Sequence, residues 1–312
     1  MHEEISLPEL TEAVARLSAL LGPRRGGVLQ LEGGITNRNF HVNFGGTDYV
    51  VRLPGKDTDL LGINREAERL ATRKASELQL GPKVAAMLDE PPCLVTWFVE
   101  SRDVTAAELR EPARLDEVGR GMRAFHQSGL ELPIEFHVPE VVSAYAEVSL
   151  RRGGSLPEAF DDARACARKV VRAVRKNSDH RPAPCHNDLL AANFLHDGQR
   201  LVIVDWEYAG MGDPFFDLGN FAANNELADA DEERLLAAYF GEPATPRRRA
   251  ALKLFRCMSD FRESMWGLVQ TNVSDVDFDF RGYADKHFRR LADAIADERF
   301  KRWLKEAGGR SP

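Results

Sequence analysis

The stretch that decides the reading is His186-Asn187-Asp188-Leu189-Leu190-Ala191-Ala192-Asn193, followed by the apolar run Leu201-Val202-Ile203-Val204 that ends in Asp205. A short apolar run closed by an acid predicts a buried strand that delivers a carboxylate at its end. The loop before it carries an Asp and, five residues later, an Asn. A carboxylate such as Asp188 can receive or steer the proton of a hydroxyl nucleophile, while the Asn193 amide and the Asp205 carboxylate offer the hard oxygens that magnesium takes.

His, Asp and Asn at this spacing match the phosphotransfer loop H-R-D-x-x-x-x-N, in which a downstream Asp holds magnesium on the nucleotide phosphates. Asn187 stands where a protein kinase has Arg, the residue that commonly pairs with a phosphorylated activation segment. There is no room for such a segment. Asp205 is followed by Trp206-Glu207-Tyr208-Ala209-Gly210 and soon by Asp213-Pro214-Phe215-Phe216-Asp217-Leu218, with neither D-F-G nor A-P-E. On these residues the chain resembles the small-molecule branch of the kinase-like fold, the choline/ethanolamine kinase and aminoglycoside phosphotransferase group. The resemblance implies an α+β, bilobal protein-kinase-like fold with ATP and Mg2+ as cofactors. Its small antiparallel-sheet N-lobe would span residues 1–99 and its mostly helical C-lobe residues 100–312.

Length and composition agree with that outline. A chain of 312 residues exceeds what one compact core fills, and 43% hydrophobic with 29% charged residues is ordinary for a globular protein. A net charge of -7 opposes nonspecific attraction to nucleic acid or anionic lipid. No apolar run approaches the roughly 20 residues that cross a bilayer. The start, Met1-His2-Glu3-Glu4, lacks the basic segment and apolar stretch of a secretory signal. Cys93, Cys166, Cys185 and Cys257 show no C-x-x-C pairing, which argues against a zinc site or a disulfide framework. The expectation is a cytoplasmic protein with no nucleic-acid partner and no membrane insertion.

Along the chain, Ser6-Leu7-Pro8-Glu9 has capping-box spacing and opens an amphipathic helix through Leu10, Val14, Leu17 and Leu21. Val28–Leu31, Asn39–Phe44 and Tyr49–Leu53 read as strands, the last two joined by a turn at Gly45-Gly46. Asn64 to Leu80 reads as a helix stopped by Gly81-Pro82, and two more strands follow at Val84–Leu88 and Cys93–Val99. After Glu100 the pattern is mostly helical, and no internal repeat is present.

The nucleotide half of the site falls on this first part. Gly33-Gly34-Ile35-Thr36-Asn37-Arg38-Asn39 is the candidate phosphate cover: Gly34 lets backbone N–H groups approach phosphate oxygens, and Thr36 and Asn37 add side-chain donors. Arg52 sits on the third strand, where protein kinases carry the Lys that reaches the phosphates, and a guanidinium keeps the charge while gripping two oxygens. Choline-kinase-like sequences resemble this one in using Arg there. Glu66 on the following helix is its expected orienting partner, with Glu68 the competitor if the helix is rotated. The hinge is expected at Thr96-Trp97-Phe98-Val99, with the backbone of Trp97 and Val99 reading the adenine edge and Val50 and Ile203 sandwiching the ring.

The catalytic half is expected to use Asp188 as the general base, with Asn193 and Asp205 as metal ligands. Glu207 is either a second-metal ligand or a salt bridge at the cleft rim. His186 and His126 read as structural histidines. Asp217 reads as a helix N-cap, to which the resemblance adds the role of bracing the catalytic loop from below. Ser259 to Gln270, followed by Asp277-Phe278-Asp279-Phe280 and Tyr283, resembles the C-terminal substrate region of choline and ethanolamine kinases. On a helix Glu263, Trp266 and Gln270 share one face and Phe261, Met265 and Leu268 another.

A quaternary ammonium is held by aromatic faces backed by carboxylate charge, and Trp266, Tyr208 and Tyr283 supply candidate faces. Glu263 stands where animal choline kinases place a further Trp, which suits an amine that donates hydrogen bonds. The expected activity is therefore phosphorylation of the hydroxyl of an amino alcohol, choline or ethanolamine. Aminoglycosides, thiamine and other alcohols are alternative acceptors on the same fold, and a non-catalytic nucleotide-binding pseudokinase is the alternative of a different class.

Overall fold

The computed structural model describes residues 7–31, 36–56, 58–175, 177–274 and 276–308. Gly45 and Gly46 adopt φ of 61° and 98°, the left-handed backbone that a tight hairpin between right-twisted strands requires. Around that turn the chain builds an N-terminal sheet from β1 (Arg24–Leu31), β2 (Asn37–Phe44), β3 (Thr47–Pro54), β4 (Val84–Asp89) and β5 (Pro92–Trp97). The five strands are antiparallel in the order β1-β2-β3-β5-β4. Strict alternation in β3 buries Tyr49, Val51 and Leu53 and turns Val50 and Arg52 to the other face. Helix α1 (Pro8–Leu21) lays Leu10, Ala13 and Leu17 on the sheet, where they join Phe40, Val42, Phe44 and Val95 in a compact apolar cluster. Ser6, the expected cap of this helix, lies outside the described residues, and so does Gly34.

Helix α2 (Arg65–Glu77) starts one residue later than expected because Asn64 is its N-cap, accepting the Ala67 N–H at 2.9 Å. Such a cap is worth about 1 kcal/mol. The helix ends before Gly81, through Leu78 and a left-handed Gln79. Its buried residues, Ala67, Glu68, Ala71, Thr72 and Ala75, recur at helical spacing. The three alanines belong to the apolar core of the helical lobe and not to that of the sheet, while α2 also packs against β4, so the helix bridges the two.

The rest is mostly helical: β6 (Arg102–Asp103), α3 (Ala106–Leu109), α4 (Pro112–His126), β7 (Glu135–Phe136), α5 (Val138–Arg151) and α6 (Phe160–Val174) lead to the catalytic segment. There β8 (Ala183–Cys185), β9 (Phe194–His196), β10 (Leu201–Ile203) and β11 (Gly210–Gly212) form two small sheets, β10-β9-β6 and β7-β11-β8. Helices α7 (Pro214–Asn224), α8 (Asp229–Phe240), α9 (Pro246–Val273), α10 (Phe280–Ala296) and α11 (Glu298–Ala307) complete the lobe. Helix α9 runs through its centre against α5, α7, α10 and α11. Every residue from Cys257 to Gln270 is buried, so the two-faced reading of this segment gives way to one enclosed on all sides. Among the described residues no helix is long and apolar enough to cross a membrane.

Candidate active site

The catalytic loop is held from below by one carboxylate. Asp217, on the first turn of α7, accepts the N–H of His186 at 2.8 Å and that of Asn187 at 2.7 Å. His126 approaches the same carboxylate at 2.9 Å through Nε2, and its Nδ1 meets Tyr239 Oη at 2.8 Å. Burial alone disfavours this carboxylate, yet the hydrogen bond and charge of His126 keep Asp217 below the usual range. The N-cap of α7 is Asp213, which accepts the Phe215 N–H, so the capping reading of Asp217 is replaced by the bracing one. His126, Cys185 and Asp217 offer ligand atoms within 4.8 Å of one another. Both ring nitrogens of His126 already have partners, which explains the cluster without a metal ion.

His186 is likewise structural. Burial holds it neutral by lowering its pKa; Nε2 bonds the Val204 carbonyl at 3.0 Å, and Nδ1 accepts the Asp188 N–H at 3.2 Å. The imidazole thus ties the catalytic loop to the end of the strand that delivers Asp205. Asn187 and Asp205 both sit in left-handed backbone, φ 67° and 66°. Such turns are tolerated best by short polar side chains.

Asp188 and Asn193 are in contact. The Asn193 amide nitrogen donates to the Asp188 carbonyl at 2.8 Å and reaches Oδ2 of its carboxylate at 3.4 Å. That leaves Asn193 Oδ1 without a donor among the described residues. Asp205 uses Oδ1 to accept from Arg52 at 2.8 Å, leaving Oδ2 equally free, on a side chain 28% exposed. Burial pushes the Asp188 carboxyl up to about 7, opposed by the charge of Arg262 and reinforced by those of Glu263 and Asp205.

Arg52 joins the two lobes. Its Nη1 reaches Asp205 at 2.8 Å and Glu68 at 3.0 Å, and its Nε reaches Asn39 at 3.3 Å. Burial works against its charge, but Asp205 and Glu68 hold its pKa above the ordinary value. The partner on α2 is therefore Glu68 and not Glu66. With Asn64 as cap, residue 68 falls on the buried face with Ala67 and Ala71, whereas Glu66 points to solvent. Arg65 fixes Glu68 from the other side at 2.7 Å.

Glu207 accepts from Thr36 Oγ1 and, at 2.7 Å, from Asn37 Nδ2, with Arg65 at 3.5 Å. Its oxygens thus clamp the C-lobe to the strand that follows the phosphate-cover glycines. Burial pushes its carboxyl up to about 8, helped by the charges of Asp205 and Glu68. At the hinge the Trp97 N–H bonds the Lys83 carbonyl at 2.8 Å and the Phe98 N–H bonds the Asp48 carbonyl at 2.9 Å. The backbone of Val99 has no partner among the described residues. Ile203 is 3% exposed within the helical-lobe core, so it does not offer a face to an adenine ring, whereas Val50 is half-buried.

The four residues expected to face the acceptor, Tyr208, Glu263, Trp266 and Tyr283, lie together in the structure. The Trp266 indole donates to Tyr208 Oη at 2.8 Å, and the Trp266 and Tyr283 rings meet edge to face at 5.7 Å. Tyr283 Oη donates to Glu263 at 2.8 Å, and Asn220 donates to it at 3.1 Å. The residue that sequence reasoning missed is Arg262. Its Nη1 lies 3.2 Å from Asp188 and 3.0 Å from Glu263, and its guanidinium covers the Tyr208 ring at 4.4 Å. Glu263 is consequently an internal counter-ion, not a free acceptor for an amine. No local signal marks it, because Asp260, Glu263 and Ser264 beside it make the stretch read as mixed, and a buried charge shows only through the partner that the fold brings close.

The sequence profile of the phosphotransferase enzyme family matches residues 27–252. The chain belongs to the phosphotransferase enzyme family. The resemblance read from the catalytic loop is borne out by this match, and so is the α+β kinase-like fold. The chain is 30% identical over 215 residues to Protein LicA of Haemophilus influenzae, covering 66% of this chain and 61% of that relative. It is 27% identical over 268 residues to ethanolamine kinase 2 of Homo sapiens, covering 77% of this chain and 68% of the relative. A solved choline/ethanolamine kinase family protein of Mesorhizobium loti superposes with a TM-score of 0.81 at 31% identity, covering 96% of this chain and 99% of that one.

Proposed function

We propose that the protein transfers the terminal phosphoryl group of ATP, with Mg2+, to the hydroxyl of a small amino alcohol, choline or ethanolamine. The observation that carries this reading is the grouping of Asp188, Asn193, Asp205 and Arg52, with the aromatic side chains Tyr208, Trp266 and Tyr283 close to Asp188 through Arg262 and Glu263. Similarity to LicA and to ethanolamine kinase 2 supports the same acceptor class.

In this reading the unpartnered oxygens of Asn193 and Asp205 suit a hard cation, and these two residues would hold the magnesium. When bound, the metal supplies positive charge against the phosphate oxygens. Glu207 would serve as a further ligand only by releasing Thr36 and Asn37. Arg52, kept charged by Glu68, neutralises phosphate, whereas the Thr36 hydroxyl and the Asn37 amide, expected as phosphate donors, are taken up by Glu207. The backbone of Val99 offers an unused N–H and C=O for the adenine edge. Asp188 receives or steers the acceptor's hydroxyl proton. Catalysis is then positioning and charge neutralisation on a preorganised frame. Trp266 and Tyr283 would offer π-faces to a cationic nitrogen, worth about 0.5–2 kcal/mol each, whereas the Tyr208 ring is already covered by Arg262.

The test is ADP release with ATP and Mg2+ across choline, ethanolamine, an aminoglycoside and thiamine. A specificity constant at least tenfold higher for the amino alcohols supports the reading. Preference for aminoglycoside or thiamine assigns the other acceptor, and nucleotide binding without turnover on any acceptor assigns a pseudokinase.

A further inference from the structure

A cavity of about 570 Å³, whose lining includes neither Asp188 nor Tyr208, Glu263, Trp266 and Tyr283, lies between α6, the start of α5 and the segment leading into β8. Its size falls within the roughly 300–1,000 Å³ of small-molecule sites. The floor is apolar, built from Phe216, Phe255 and Met258. One wall carries Arg168, Arg172 and Arg175, which at i, i+4 and i+7 share a helix face and extend about 10 Å along it. All three are exposed, and none has a hydrogen bond or ion pair among the described residues. Val171, on the same wall, is 40% exposed despite being apolar.

A second observation is independent of the arginines. His180 lines the cavity with a side chain only 1% exposed, stacked on Phe215 and Phe255 at 4.6 and 5.6 Å. Its Nδ1 is paired with Asp213 at 2.7 Å, but its buried Nε2 has no partner among the described residues. A buried polar atom left unpaired is costly unless something supplies the missing bond. Two acids also line the cavity. Asp213 is already committed to His180 and to capping α7, and Glu140 is exposed at the rim. The uncompensated charge of the cavity is therefore positive, on a protein whose formal net charge is -7.

We propose that this cavity is a binding site for a small amphiphilic anion, a carboxylate or phosphate head on an aliphatic chain. The head lies among the three guanidiniums, and the chain covers the floor formed by Phe216 and Phe255. The site is separate from the acceptor pocket and independent of which alcohol that pocket takes.

Calorimetry on the full chain with octanoate, octyl phosphate, 1-octanol and inorganic phosphate tests this. Saturable one-to-one binding of octanoate or octyl phosphate is expected, at least tenfold tighter than 1-octanol or inorganic phosphate. Affinity should fall at least tenfold in the triple variant Arg168→Gln, Arg172→Gln, Arg175→Gln, and at least threefold in Arg172→Gln alone. ADP release by both variants should stay within twofold of wild type, showing an intact fold. Equal affinity for 1-octanol, or unchanged affinity in a folded Arg172→Gln variant, overturns the proposal. Inorganic phosphate binding as tightly as octyl phosphate overturns the role of the apolar floor. Binding to phosphatidylglycerol vesicles, lost in the arginine variants, with none to monomeric octanoate, overturns it in favour of a membrane surface.

Discussion

Arg262 Nη1 stands 3.2 Å from Asp188 Oδ1 and 3.0 Å from Glu263 Oε1, so one buried guanidinium serves both the proposed base and the neighbouring Glu263 carboxylate. Burial opposes that charge, and Glu263 and Asp188 hold the Arg262 pKa well above the ordinary value. The group therefore stays cationic and sets the electrostatics of the site from within the core.

Removing one member of a buried ion cluster leaves the others uncompensated. Arg262→Met is expected to destabilise the protein by about 3–5 kcal/mol in urea unfolding. The double variant Arg262→Met, Glu263→Leu should recover a large part of that loss, because the orphaned Glu263 charge is removed as well. Equal stability of the single variant and wild type would show that the contact contributes nothing.

The partner of Arg52 separates two neighbouring acids. Glu68→Gln should lower kcat/KM for ATP by about tenfold, the value of roughly 1.4 kcal/mol in a charge-assisted contact, while Glu66→Gln should stay within twofold. Steady-state kinetics at fixed acceptor measures both. A reversed order would restore the Glu66 assignment.

How far the sequence carried can be judged on these same residues. The hairpin at Gly45-Gly46, the strand positions of the N-terminal sheet and the catalytic segment were legible because turn glycines, alternation and a fixed His-Asp-Asn spacing are local signals. The choice between Glu66 and Glu68 was not, since it depends on where α2 begins, and a one-residue shift set by the Asn64 cap turns the helix by about 100°. Arg262 escaped because a charge beside Phe261 reads as solvent-facing until tertiary packing encloses every side of α9. Ile203 was misassigned for the opposite reason: an apolar residue near the cleft looks the same in sequence whether it faces nucleotide or core. Asp217 was placed correctly only through the resemblance, because capping and bracing acids occupy nearly the same helix position.

Glu207 gives the metal-free protein a pH-dependent stability. Its folded pKa of about 8 lies above the ordinary 4.5, so the folded state binds the proton more tightly than the unfolded state. The stabilisation is complete below about 4.5 and is lost as pH rises toward 8. In EDTA without nucleotide, Tm should fall between pH 5.5 and 8.5, and the slope should be shallower in Glu207→Gln. Parallel slopes for the two proteins would remove Glu207 as the cause.

Asp205→Asn keeps the shape of the side chain but halves its capacity to offer anionic oxygen. The Mg2+ concentration for half-maximal rate should rise at least tenfold, measured by ADP release over a magnesium titration. An unchanged magnesium dependence would place the metal elsewhere.

The central claim is that Asp188 directs the acceptor hydroxyl at the terminal phosphoryl group. Single-turnover transfer from γ-labelled ATP to ethanolamine, compared between wild type and Asp188→Asn, tests it most directly. The account predicts ATP affinity within about threefold of wild type and transfer slowed by about 10²–10⁴, the usual value of general-base assistance. Transfer at the wild-type rate in Asp188→Asn would contradict it.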